Sequence, residues 1–152
     1  MMNAYFRAVL EPVREFGGTV NQFLGDAMLV TFNLPVGDPD HFDNAMRAAI
    51  GICEICDQAR FSGYRLNTRI GIHSGEVAVG NVDTGDRLNY TIFGDTVNVA
   101  ARLEAHNKSL DSRILISGST VANLKGDYQL ERVPDVVLRG KSTSISAYSH
   151  AA

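Results

Sequence analysis
The 152-residue chain is short of several things, and each shortage removes a class of function. No apolar run approaches the roughly 20 residues that a helix needs to cross a bilayer. The first residues also lack the pattern of a secretory signal. The expectation is a cytoplasmic domain with no direct membrane insertion. The 14 Lys and Arg stand against 17 Asp and Glu, and the resulting net charge of −3 offers nucleic acid no bulk attraction. The aromatic Lys/Arg-Gly-Phe motif of an RNA recognition fold is missing as well, so no nucleic-acid partner is expected. Of the two cysteines, Cys53 and Cys56 form a C-x-x-C, but they lie inside the apolar run 45–56, which reads as a buried helix carrying packed thiols. There is no G-x-S-x-G and no plausible Cys–His pair, which leaves hydrolase chemistry without support. Gly75 and Gly80 suggest a phosphate loop, yet no Gly-Lys-Ser/Thr follows. His73 and Glu76 lack a third metal ligand at useful spacing, so His73 reads as a strand residue.

What is present is a 45% hydrophobic chain of a length that suits one domain with a sizeable core. Residues 2–15 are helical in pattern, with Tyr5, Phe6, Val9, Leu10 and Val13 on one side, and Gly17-Gly18 ends that helix. Residues 20–23 and 27–32 read as two strands of a hairpin turning at Leu24-Gly25-Asp26, which puts Asp26 at an exposed bend. A loop over 35–40 leads into a second helix that starts at Pro39 or Asp40 and runs to about Ala59. Strands are expected over 69–73 and 76–80, with Gly75 as turn or bulge between them. A β-like run at Tyr90-Thr91-Ile92 precedes a third helix. Asp95 or Thr96 is expected to cap this helix, and Val97, Ala100, Ala101 and Leu103 to supply most of its apolar stripe. Residues 113–116 read as a strand, Ser117 as the cap of a short helix, and 128–132, 136–139 and 145–149 as three closing strands. The expected fold class is α+β, a sheet covered by helices. Its order is compatible with a ferredoxin-like βαββαβ core whose first strand is absent.

The third helix carries the most informative pair. Asn98 and Arg102 stand four residues apart, so an amide and a permanently charged guanidinium share one face and can meet one ligand. In isolation such a pair is equally an ordinary amphipathic helix with a solvated Arg. Three further motifs change that weighting: residues 16–27 (FGGTVNQFLGDA), residues 69–77 (RIGIHSGEV) and residues 138–141 (LRGK). Together with residues 89–104 (NYTIFGDTVNVAARLE), and in this order, they resemble the catalytic domain of class III adenylyl and guanylyl cyclases. The resemblance spans residues 16–141, and the flanks also fit, so residues 1–152 read as a single nucleotidyl cyclase catalytic domain that is incomplete at its N-terminus.

The resemblance implies a reaction and a set of roles. A nucleoside triphosphate turns its own ribose 3′-oxygen on the α-phosphorus and expels pyrophosphate, at a site with two Mg²⁺ or Mn²⁺ ions. Asp26 would be a metal ligand, Asn98 would orient the ribose, Arg102 would meet the charge gathering at the α-phosphate, and Lys141 would hold the triphosphate. Gln22 and Thr91 fall at the two positions that read the purine. Adenylyl cyclases often carry Lys there with Asp or Thr, and guanylyl cyclases Glu with Cys or a similar residue. The Gln–Thr pair excludes neither base, since each side chain can donate and accept, and Thr91 favours ATP over GTP. The family also implies a head-to-tail homodimer in which one copy brings the metal carboxylates and the other Asn98, Arg102, Lys141 and the base-reading pair. One departure stands out. The strand that would carry the second metal Asp is missing ahead of Met1, as in a fragment of a larger protein or a genuine remnant, and a weakly active or inactive chain is expected. A catalytically silent nucleotide-binding or regulatory dimerisation module stays open beside the enzyme.

Overall fold
Apolar residues at helical spacing make α1 (Met2–Glu15) and α2 (His41–Gln58), and the two pack on each other. Between them the chain folds back on itself in a hairpin, β1 (Thr19–Leu24) and β2 (Ala27–Thr31), with Gly25 at φ +62° in the turn. The computed structural model describes residues 2–34, 36–60, 63, 66–83, 88–137 and 143–150. The remaining elements are β3 (Ile70–Ile72), β4 (Ala78–Asp83), β5 (Leu88–Phe93), α3 (Asp95–Leu110), β6 (Ile114–Ser117), α4 (Gly118–Val121), β7 (Leu130–Val137) and β8 (Ser144–His150). Helix, hairpin, helix, strand thus opens the chain in the order expected of a ferredoxin-like core without its first strand.

The strands fall into three groups. A four-stranded mixed sheet has the order β3-β6-β8-β7, with β3 parallel to β6 and the other pairs antiparallel, while β1–β2 and β4–β5 form separate two-stranded ribbons. The centre of the protein is β6, whose Ile114, Leu115, Ile116 and Ser117 are all buried. Successive side chains of a strand point to opposite faces. Accordingly Leu115 joins Val99 and Leu103 of α3, whereas Ile114 and Ile116 join Met46, Ala49 and Cys53 of α2. A third cluster, Tyr5, Val9, Val13, Ile52 and Cys56, cements α1 to α2 and is covered by Val20, Met28 and Val30 of the hairpin. Each such buried aliphatic contributes about 1.5–3 kcal/mol by leaving water. Both cysteines are free and buried on α2, and burial pushes the Cys53 thiol up to about 11, which leaves it inert near neutrality.

Several expectations are corrected. Residues 138–139 lie outside the described residues, and in place of two strands over 128–132 and 136–139 the chain forms one, β7 (Leu130–Val137). Its register shifts between Val133 and Val136, around Pro134, and as the edge strand of the sheet it tolerates a residue without an N–H. Neither Asp95 nor Thr96 caps α3; the capping position is Gly94, and no side-chain cap bond forms. The buried stripe of α3 is Val99, Leu103 and Asn107, with Ala101 exposed. Ser117 does precede α4, but its hydroxyl bonds to His73 and Thr120 rather than to the helix amides. His73 lies one residue past β3, not within a strand.

Candidate active site
The hairpin places Asp26 at its tip, exposed, between Leu24 and Ala27, which pair across the turn. Gln22 sits lower on β1, half-buried, opposite Leu29 and beside a register shift that follows Val20. Strand β5 packs beside β1 and carries Thr91, exposed, opposite Gly80 of β4. The two positions expected to read a base therefore stand on neighbouring strands. Residues 138–142 lie outside the described residues, and Lys141 with them.

On α3, Asn98 is exposed and Arg102, one turn later, is half-buried. The Nε of Arg102 is buried without a hydrogen-bond partner, one of the few such side-chain atoms among the described residues. A buried guanidinium N–H costs free energy until an acceptor meets it, and an anionic oxygen is the acceptor it suits best. The pair thus presents an amide in solvent next to a cation with unused donor capacity.

Asp26 lies on the β1–β2 hairpin and acts on α3 through its charge. Its negative charge acts on Glu104, whose carboxyl is raised mainly by burial, lowered by the Arg69 guanidinium and raised again by Asp26. Residues advance by about 100° along a helix, so Glu104, six residues after Asn98, lies about 120° away around the axis. Asn98 and Arg102 share one flank of α3, and Glu104 lies on another. Sequence reasoning passed over Arg69 and Glu104. The pairing of a charged residue at the head of β3 with an acid on α3 is invisible until strand and helix are packed together.

A divalent metal is compatible with this donor set. Asp26 offers a hard carboxylate oxygen in solvent, and Mg²⁺ is commonly held by one or two carboxylates plus substrate phosphates. Among the described residues no group of three His, Cys, Asp or Glu could hold a metal alone, so substrate oxygens have to complete any such site. No described helix is long and apolar enough to cross a membrane.

Comparison with known proteins identifies the family. Residues 1–149 match the family model for the adenylate and guanylate cyclase catalytic domain. Adenylate cyclase 1 of Rhizobium meliloti is 38% identical over 97% of this chain and 23% of its own length. Among solved structures, the guanylate cyclase domain of RhGC from Catenaria anguillulae, in complex with GTP, superposes with a TM-score of 0.84 at 29% identity, over 99% of this chain and 81% of that one. The adenylyl cyclase CyaB from P. aeruginosa gives a TM-score of 0.80 at 26% identity, over 99% and 80%. The chain spans less than a third of the length of the curated relatives it matches. On this evidence the chain belongs to the adenylate and guanylate cyclase catalytic domain family.

Proposed function
We propose that the chain cyclises a purine nucleoside triphosphate, ATP in preference to GTP, to the 3′,5′-cyclic nucleotide and pyrophosphate, in a cleft shared by two copies paired head to tail. The observation that carries this reading is the buried, unpartnered Nε of Arg102 beside the exposed Asn98 on α3, with Asp26 exposed on the separate β1–β2 hairpin. With Asp26 on the hairpin and the Asn98–Arg102 pair on α3, a second copy paired head to tail brings a carboxylate to the Asn98–Arg102 face.

In this mechanism the ribose 3′-hydroxyl loses its proton to water, the 3′-oxygen bonds to the α-phosphorus, and the bond from phosphorus to the bridging oxygen breaks, so that pyrophosphate leaves with that oxygen. Asn98 holds the ribose so that the 3′-oxygen is in line. Arg102 donates to the α-phosphate oxygens as negative charge gathers there. Lys141 neutralises the triphosphate as a mobile point charge. Asp26 would hold Mg²⁺ or Mn²⁺, which supplies charge stabilisation at the attacking and leaving oxygens when bound. Asp26 is the residue matched to the expected metal pair, and turnover is best sought with Mn²⁺. Gln22 and Thr91 contact the base edge. The adenylate cyclase names of relatives such as that of Rhizobium meliloti support ATP, and the GTP-bound guanylate cyclase domain is why GTP is tested beside it.

Arg102→Ala tests the assignment. If its contact forms mainly in the transition state, kcat falls by about 10²–10³-fold while KM changes little. Equal loss in binding and turnover would count against that role. The same lone Asp26 supports a second reading, a silent nucleotide-binding or regulatory module. Titration calorimetry with ATP and with a non-hydrolysable analogue, set beside a product assay, separates binding from turnover.

A further inference from the structure
Helix α3 is attached to one stretch of chain along its whole length. The hydroxyl of Thr96 donates to the Glu76 carbonyl at 2.6 Å. Gly75 lies flat against the same side chain, and a Cβ there would sit 2.6 Å from the Thr96 Oγ1. Further along, Gly71 lets β3 approach so closely that a Cβ would run into the backbone of Ala100 and Glu104. Near the C-terminal end, the Nδ2 of buried Asn107 donates to the Ile70 carbonyl at 3.0 Å, with its Oδ1 held by the Ser112 hydroxyl at 2.7 Å. Positions 96, 100, 104 and 107 are four, four and three residues apart, so they form one stripe of the helix. That stripe is fastened to residues 70–76. Asn98, two residues after Thr96, points from nearly the opposite side.

The apolar contacts of Val99 and Leu103 seat α3 in the core, and the polar contacts along its stripe set the fine angle of its roll. The Asn107 and Gly71 contacts are buried and tight, but the N-terminal turn, which carries Asn98, has no side-chain cap. Thr96 ties this turn to the neighbouring loop, alongside the buried Val99 and the Asp95 charge that acts on His73. A roll of about 10° moves a group about 6 Å from the axis by about 1 Å, a displacement that can cost on the order of 10²-fold in rate.

We propose that Thr96 is a positioning residue: by donating its hydroxyl to the Glu76 carbonyl over the Gly75 contact, it fixes the roll of α3 and so the direction in which Asn98 and Arg102 meet the substrate. The inference rests on the cyclase reading of that pair. The bond lies at an exposed site, so water takes over the Glu76 carbonyl when the hydroxyl is removed, and little stability is lost with it.

The test compares Thr96→Val, which keeps the shape and removes the donor, with Thr96→Ser, which keeps the donor. The readouts are Mn²⁺-supported cyclic nucleotide production, thermal midpoint, and amide hydrogen exchange along α3. Thr96→Val lowers kcat about tenfold with KM within about twofold. Its midpoint stays within about 2 °C of the wild type, and exchange accelerates in the first turns of α3 alone. Thr96→Ser stays within about twofold of the wild-type kcat. Unchanged kcat in Thr96→Val, an equal fall in Thr96→Ser, or a fall matched by lost folded protein would overturn the assignment. If the wild type binds triphosphate yet makes no cyclic product, the cyclase reading fails. Exchange then judges the clamp by itself: unaltered exchange in Thr96→Val removes it, and faster exchange confined to the first turns keeps it.

Discussion

Helix α3 and the two ribbons present their functional residues in opposite ways. Asn98 and Arg102 ride on a helix whose other side is sunk into the core, where Leu103, Leu115 and Val136 are fully buried. Asp26, Gln22 and Thr91 ride on the two-stranded ribbons β1–β2 and β4–β5, outside the four-stranded sheet. Large apolar side chains stand in solvent on these ribbons, Phe23 53%, Leu24 54% and Phe93 52% exposed. The difference separates two tasks. The groups that would meet charge in the transition state are held before substrate arrives, whereas the metal and base contacts sit on surfaces that a second copy would cover. Large apolar side chains left half in solvent are what an unpaired interface presents.

Breaking the buried half should have the largest effect. Leu103→Ala removes a fully buried side chain from the α3–β6 contact and is expected to cost about 2–5 kcal/mol in urea unfolding. Phe23→Ser, by contrast, loses the edge contact with the Phe6 ring, costs unfolding of the isolated chain about 0.5–1.5 kcal/mol, and weakens self-association about tenfold or more, read by sedimentation across a concentration series. Equal effects of the two substitutions on stability would erase the distinction between core and ribbon.

Base selection sharpens the ribbon side further. Gln22→Glu replaces a side chain that donates and accepts by one that only accepts when ionised, which favours the guanine edge with its N–H donors. The ratio of kcat/KM for GTP over ATP is expected to rise by about tenfold. An unchanged ratio would mean that Gln22 faces a neighbouring strand rather than a base.

The smallest effect concerns pH. Burial lowers the pKa of His73, with the Asp95 charge opposing, and burial lowers that of His150 as well. Below the ordinary His value of about 6.5 the unfolded chain takes up these protons before the folded one does, so stability falls as pH drops from 7 toward 5.5. His73→Gln flattens part of that slope in urea midpoints measured at the two pH values. Glu104, whose carboxyl is raised, pulls the opposite way at lower pH. A steeper slope in His73→Gln would mean that the His73–Ser117 contact matters more than the proton.

Much of this was legible in the residues, and what was not has identifiable causes. Apolar spacing along residues 2–15 and 41–58 gave both long helices, and Gly25 with the flanking β-branched residues gave the hairpin with Asp26 at its exposed tip. The pairing of Asn98 with Arg102 followed from helical spacing alone. The apparent break near Pro134 misled because a proline is tolerated at a bulge on an edge strand, and edge position is a property of the whole sheet. Thr96 reads locally as a capping residue, but Gly75 brings the 71–76 segment close enough to take its hydroxyl. The same holds for Asn107, polar by sequence and buried in fact, because the Ile70 carbonyl needs a donor where β3 meets the helix. In each case a contact distant in sequence outweighed the local preference.

The central claim is that one copy's Asp26 and another's Arg102 complete a single site. Mixing Asp26→Ala with Arg102→Ala tests it directly, with Mn²⁺ and ATP and a readout of cyclic nucleotide formed. Each variant alone should be inactive. After exchange of subunits, half of the pairs are mixed and one of their two sites is intact, so the mixture should recover about a quarter of the wild-type rate. A mixture that stays silent although both variants fold and pair, or either variant turning over unaided at the wild-type rate, would contradict it.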